Sequence, residues 1–266
     1  MANPLLSLVG AGPGDPELIT VKAMRTIGQA NVILYDALAN KALLEYAAPG
    51  AIIRFTGKRY GCHALSQQEI NRLIVSDARA YGHVVRLKGG DPFIFGRAAE
   101  EMAAARNAGI AVQVVQGISS ALAVPAGQMI PLTCRGLAES FWVTTGTTRS
   151  GGISADIQLA ARSSATVVIL MAMSRLEDIM DIFAACGKNN TPAAIIQEGT
   201  TEREKMVTGT VRNIALKARY EGLSNPAVII IGEVVRLHPS MLPATIQHVT
   251  GNMEHNTPHE EEQTRL

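Results

Sequence analysis

The chain has 266 residues, 47% of them hydrophobic, and a net charge of +1. That balance excludes wholesale disorder and offers no global basic field for nucleic acid or an anionic membrane. The length suits one or two domains and buries a large core without a disulfide or metal staple. Cys62, Cys134 and Cys186 stand far apart with no metal-ligand spacing, which fits a reducing compartment. The start of the chain lacks the basic and apolar pattern of a signal peptide, and its apolar runs are strand-length. The expectation is a cytoplasmic enzyme or small-molecule binder that meets neither membrane nor nucleic acid.

In chain order, 5–9, 32–35, 52–55, 84–87 and 112–115 read as strands, because they are short and rich in β-branched residues. Between them, 21–29, 66–80 and 97–108 read as helices. Ser66 followed by Glu69 is a capping box that starts the second of these. Near-continuous apolar strands alternating with helices predict an α/β fold with mostly parallel sheets covered on both faces. The second half repeats the style, with strands at 141–145, 167–171, 193–197 and 228–231 and helices at 176–186 and 211–220. Gly187 is placed to stop the first of those helices. The organisation expected is an α/β domain over 1–116, a linker region over 117–136 and a second α/β domain over 137–240. The polar segment 241–266 reads as a disordered tail.

Ligands of open α/β sheets bind outside the carboxyl ends of the strands. The first strand runs into Gly10-Ala11-Gly12-Pro13-Gly14-Asp15, and the second ends at Asp36. The third ends at Gly57-Lys58-Arg59. The fourth enters Lys88-Gly89-Gly90-Asp91-Pro92-Phe93-Ile94-Phe95-Gly96-Arg97, and the fifth enters Gly117-Ile118-Ser119-Ser120. All five groups fall on one edge of one sheet. A dinucleotide loop is disfavoured, because Asp15 stands where a third glycine belongs and would repel a pyrophosphate. The adjacent Gly89 and Gly90 allow a ligand close to the backbone, and Asp91 before Pro92 is extended and able to accept hydrogen bonds. Asp36 reads either as a general base or as a turn aspartate.

These motifs resemble the tetrapyrrole methylases, which use S-adenosylmethionine. Further matches are Ala121 after Ser120, Pro131-Leu132-Thr133 before Arg135, Gly199-Thr200, Pro226-Ala227 and Gly232-Glu233-Val234-Val235. The likeness spans roughly residues 5 to 237. Tyr35-Asp36 and Phe95-Gly96-Arg97 resemble the members that act on uroporphyrinogen III rather than on later corrin rings. The resemblance implies two α/β domains with the active site in a cleft between them, and a homodimer. It implies C-methylation on rings A and B to give precorrin-2 via precorrin-1, with S-adenosylhomocysteine as the byproduct. The product would feed siroheme, cobalamin or heme d1 synthesis.

By position, the resemblance places Pro13, Gly89, Gly90, Asp91, Ile94, Ser119, Ser120, Met171, Gly199 and Ala227 at S-adenosylmethionine. It makes Asp36 the proton acceptor, Lys58 the proton donor and Arg97 a third catalytic residue. Arg59, Arg97, Glu100, Arg135 and Met171 would hold the tetrapyrrole. Uroporphyrinogen carries eight carboxylates, so a chain of net charge +1 must concentrate cations locally. Lys58, Arg59, Arg86, Lys88, Arg97 and Arg135 are the candidates, arginine being suited to bidentate carboxylate recognition. Three positions depart from the family pattern. Cys134 and Thr147 stand where histidine is usual, and Ala98-Ala99 follows Arg97 where two glycines are usual. These departures leave room for another precorrin C-methyltransferase, or for a tetrapyrrole- or S-adenosylmethionine-binding protein with weak catalysis.

Overall fold

The computed structural model describes residues 3–57, 65–148 and 150–241. The expected tail lies outside the described residues from 242 onward. Five strands form the first sheet: β1 (Leu5–Gly10), β2 (Val32–Tyr35), β3 (Ile52–Phe55), β4 (His83–Lys88) and β5 (Ala111–Val115). Their order is β3-β2-β4-β1-β5, and every pairing is parallel. Parallel pairing aligns all five carboxyl ends on one edge, as the motif placement required.

Both faces of this sheet are covered. Leu6, Leu8, Val32, Leu34 and Val84 meet α2 (Gln67–Tyr81) and α3 (Ala98–Asn107) on one side. Val9, Ile33, Tyr35, Val85 and Leu87 meet α1 (Val21–Ile27) and Leu43 on the other. The helix α2 starts as its capping box dictates: the Glu69 amide donates to Ser66 Oγ at 3.3 Å, and the Ser66 amide donates to Glu69 Oε2 at 2.6 Å. Its buried stripe of Ile70, Ile74 and Ala78 recurs every fourth residue.

The second sheet contains β6 (Phe141–Thr145), β7 (Thr166–Leu170), β8 (Pro192–Gln197), β9 (Lys205–Thr210) and β10 (Ala227–Ile231) in the order β6-β7-β10-β8-β9. Here the parallel expectation is corrected. Only β6 and β7 pair in parallel; β7–β10, β10–β8 and β8–β9 are antiparallel. The segment 198–204 between β8 and β9 is too short for a parallel crossover, which takes about a dozen residues. β9 itself was not expected, because its alternating Lys205, Thr208 and Gly209 carry little strand signal.

One face of this sheet packs on α5 (Asp156–Arg162), α6 (Leu176–Ala185) and α7 (Ile214–Tyr220). Phe183 of α6 is fully buried there, which contributes about 1.5–3 kcal/mol. Gly187 follows α6 at a φ of 80°, the left-handed stop its sequence position suggested. The other face takes α4 (Ser120–Gly127), through Ala121 and Val124 against Val168, Ile196 and Val228. The expected linker 117–136 therefore contains a helix that packs into the core of the second sheet.

Candidate active site

The loops at the carboxyl edge of the first sheet face loops of the second across a cavity of about 750 Å³. Pro13 and Gly14 enter it from the loop after β1, Asp36 to Leu38 from the end of β2, and Lys88 to Asp91 with Ile94 to Arg97 from the end of β4. Ser119 and Ser120 come from the start of α4. The second sheet contributes Met171 after β7, Glu198 and Gly199 after β8, and Asn225 to Val228 around the start of β10. Pro13, Gly89, Gly90, Asp91, Ile94, Ser119, Ser120, Met171, Gly199 and Ala227 thus converge on one cavity, with Asp36 and Arg97 on its wall.

The other candidates are placed differently. Glu100 is not in the lining but grips Arg97, with Arg97 Nε and Nη2 each 2.8 Å from its carboxylate. Arg135 sits exposed on the turn bridged between Cys134 and Ala138, away from the lining. Lys58 and Arg59 lie outside the described residues. Arg86 and Lys88 do face the cavity, yet both are buried and held by Glu101.

Glycines let the loops fuse into a cradle. Gly12 and Gly90 exchange backbone hydrogen bonds of 3.2 and 2.7 Å. A Cβ on Gly117 would lie 2.3 Å from the Gly90 carbonyl oxygen, and one on Gly89 would lie 2.5 Å from Leu38 Cβ. Any side chain there would push the loops apart. Asp91 ties the same loops together: its Oδ1 accepts from the Phe93 amide at 2.8 Å and its Oδ2 from the Gly117 amide at 3.0 Å. The second half closes onto the cradle through the Asp15 amide, which donates to Thr200 Oγ1 at 3.1 Å.

Strain collects at the same place. Phe95, Arg97, Met171 and Glu198 line the cavity with φ values of 52°, 56°, 55° and 47°. Non-glycine residues hold such angles at a cost of about 1–3 kcal/mol each, and they cluster where ligands bind. Thr147, one of the departures, serves this strained wall. Its hydroxyl donates to the Met171 carbonyl at 2.9 Å.

The electrostatics centre on Asp36. Its Oδ1 accepts from the Leu38 amide at 3.1 Å, so the turn role is real. Its Oδ2 lies 3.5 Å from Arg86 Nη2, and it lines the cavity, so the chemical role is open to it too. Burial pushes the Lys88 ammonium below the usual lysine range, and the adjacent Arg86 guanidinium adds to the effect. Hydrogen bonding to Glu100 pushes the Arg97 guanidinium the opposite way.

Sequence reasoning missed Glu101 and the pair Arg203–Glu198. Glu101 carried a signal: α3 buries Ala98, Glu101 and Ala105, so a carboxylate stands in an apolar stripe. Arg203 gave none, being an exposed cation that reaches the cavity only because β8 and β9 turn back beside it.

Residues 5–215 match the family model for Tetrapyrrole (Corrin/Porphyrin) Methylases. The chain belongs to the tetrapyrrole methylase family. The uroporphyrinogen-III C-methyltransferase of Methanocaldococcus jannaschii is 44% identical over 232 residues, covering 86% of this chain and 96% of that protein. A siroheme synthase of Chromobacterium violaceum is 44% identical over 231 residues, covering 86% of this chain. The chain spans 49% of that synthase's length. Among solved structures, uroporphyrin-III C-methyl transferase from Thermus thermophilus complexed with S-adenyl homocysteine matches with a TM-score of 0.74 and 39% identity. That match covers 87% of this chain and 99% of the Thermus chain.

Proposed function

We propose that the chain is an S-adenosylmethionine-dependent methyltransferase that methylates uroporphyrinogen III on rings A and B, giving precorrin-2 through precorrin-1. The observation that carries this reading is the single cavity in which the glycine cradle, Asp36 and Arg97 meet. The similarity to the Methanocaldococcus enzyme supports the substrate, and the Thermus complex supports the cofactor. The product would enter siroheme, cobalamin or heme d1 synthesis.

The cavity suits the cofactor on its own terms. Part of its wall is backbone at Gly89 and Gly90, where a Cβ on Gly89 would strike Leu38. Pro13, Asp91, Ile94, Ser119, Ser120, Met171, Gly199 and Ala227 complete the residues that would hold it. When bound, S-adenosylmethionine supplies an electrophilic methyl group on sulfonium.

The protein's work is position and charge. Holding two reactants in line can remove about 7–11 kcal/mol of barrier in favourable cases. Asp91 serves by fixing the two glycine loops to each other. Arg97, parked on Glu100 at the surface, is free to exchange that partner for a substrate carboxylate, because an exposed pair is worth only about 0–1 kcal/mol. Asp36 would take the proton released from the attacked ring carbon, with Arg86 and the Leu38 amide fixing its carboxylate. Lys58 as proton donor, and Arg59, Glu100, Arg135 and Met171 as tetrapyrrole contacts, remain parts of the same proposal.

A homodimer is proposed as well. It is supported by β6, an edge strand that exposes Phe141 and Trp142. A cytoplasmic location is supported by the free thiols of Cys134 and Cys186. Among the described residues, no helix is long and apolar enough to cross a membrane.

Anaerobic incubation with uroporphyrinogen III and methyl-labelled S-adenosylmethionine tests the reading. Label is expected on the tetrapyrrole. Retention of bound cofactor without any transfer would instead favour the binding-protein alternative.

A further inference from the structure

Behind Asp36 lies a set of buried charges, Arg86, Lys88 and Glu101, of which the chemistry above uses only Arg86. Glu101 is fully buried, and both its oxygens are engaged. Oε1 accepts from Arg86 Nε at 3.1 Å, Lys88 Nζ at 3.1 Å and Gln67 Nε2 at 3.3 Å. Oε2 accepts from Lys88 Nζ at 3.0 Å. Arg86 spends its Nη1 on the carbonyls of Leu34 at 3.3 Å and Leu87 at 3.0 Å. That leaves Nη2, which reaches Asp36 Oδ2 at 3.5 Å. A planar guanidinium pinned at Nε and Nη1 has one direction left for Nη2, and that direction is the Asp36 carboxylate.

We propose that Glu101 is a positioning residue of the methyl-transfer reaction: it locks the Arg86 guanidinium, which in turn holds the Asp36 carboxylate in place on the cavity wall. The inference rests on the reading of Asp36 as the proton acceptor. Glu101 is the anion shared by two buried cations. Without its charge, Arg86 and Lys88 retain Asp36 as the carboxylate that acts on both, and they draw it off its position. Lys88 matters here as the second grip on Glu101, keeping that carboxylate from following Arg86.

A double-mutant cycle separates positioning from bulk stability. Label transfer is measured for wild type, Glu101→Gln, Asp36→Asn and the double variant, together with KM for uroporphyrinogen III and Kd for S-adenosylmethionine. Glu101→Gln is expected to lower kcat about 10- to 100-fold, the scale of a misplacement near 1 Å, with KM and Kd within about twofold. In the Asp36→Asn background the same substitution is expected to change kcat by less than about twofold, because the group it acts through is gone. If Asp36→Asn abolishes most turnover but Glu101→Gln lowers it equally in both backgrounds, the positioning role is overturned and the reading of Asp36 stands. If Asp36→Asn keeps wild-type turnover, both fall. Arg86→Lys keeps a cation beside Glu101 while withdrawing the fork from Asp36, so it serves if Glu101→Gln does not fold. It is expected to reproduce the kcat loss, and wild-type kcat in that variant would overturn the proposal.

Discussion

Asp91 shows how one residue can serve a site through the backbone it fixes. Its two carboxylate oxygens hold amides on two different loops, Phe93 and Gly117. Asp91→Ala releases both, and each charged hydrogen bond is worth about 1.5–3 kcal/mol. S-adenosylmethionine affinity is expected to fall at least about tenfold by isothermal titration, and unchanged affinity would remove Asp91 from the cradle. Arg97→Ala separates the two ligands: turnover and KM for the tetrapyrrole are expected to suffer while cofactor Kd stays near wild type. Thr147 is a finer case. Thr147→Val keeps the shape but removes the hydroxyl that pins the Met171 carbonyl, at a cost of about 0.5–1.5 kcal/mol in a denaturant melt.

The same scale explains what could be read in advance. The ten cofactor candidates came from the family resemblance, and seven of them lie in the loops after β1, β4 and β5, whose glycines and prolines constrain the backbone locally. Their convergence needed only the parallel pairing of β1, β2, β4 and β5 on the first side. Glu101 was legible only as an acid in an apolar stripe, since its partners Arg86 and Lys88 come from another element. Arg135 had a family position but no local constraint, and the fold leaves it outside the cavity lining.

At the scale of elements, glycines set how closely loops pack. A Cβ on Gly117 would lie 2.7 Å from Gly10 Cα as well as against the Gly90 carbonyl, all of it backbone. Gly117→Ala is expected to cost about 1–3 kcal/mol or more in urea unfolding, an overpacking effect. The helix α2 offers a pH signature. Its Asp77 faces Arg54 of β3, yet burial outweighs that cation and holds the carboxyl above the ordinary aspartate range. The unfolded chain therefore releases this proton at lower pH than the folded one. Between the two pKa values the folded state binds more protons, so this group's contribution falls as pH rises through the ordinary carboxylate range. The stability of wild type relative to Asp77→Asn is expected to decline over that window, measured by unfolding at several pH values. A flat difference would contradict the burial argument. The strands of the first sheet were legible because they are short and rich in β-branched residues. β9 was not, because an edge strand with a solvated face is held by its partner β8 more than by its own residues.

For the whole molecule, the cavity is a clamp between two sheets, with the cradle on one and Met171, Gly199 and Ala227 on the other. A ligand that touches both raises the unfolding free energy by mass action, about 2.7 kcal/mol at a hundred times its Kd. Calorimetry with S-adenosylhomocysteine is expected to show that gain in a single transition. The edge strand β6 carries the assembly prediction: sedimentation is expected to give a dimer, and Trp142→Lys a monomer. The antiparallel pairs of the second sheet lay beyond the alternation of strand and helix; that of β8 and β9 is set by the short return between them rather than by strand composition. The central claim is that one cavity delivers two methyl groups to carbon. It is tested most directly by anaerobic turnover of uroporphyrinogen III with carbon-13 methyl-labelled S-adenosylmethionine, followed by mass and carbon spectra of the tetrapyrrole. A gain of two labelled methyl groups, on ring carbons of A and B, is the expected result. Label on nitrogen or on a propionate, or on any other ring, would contradict it.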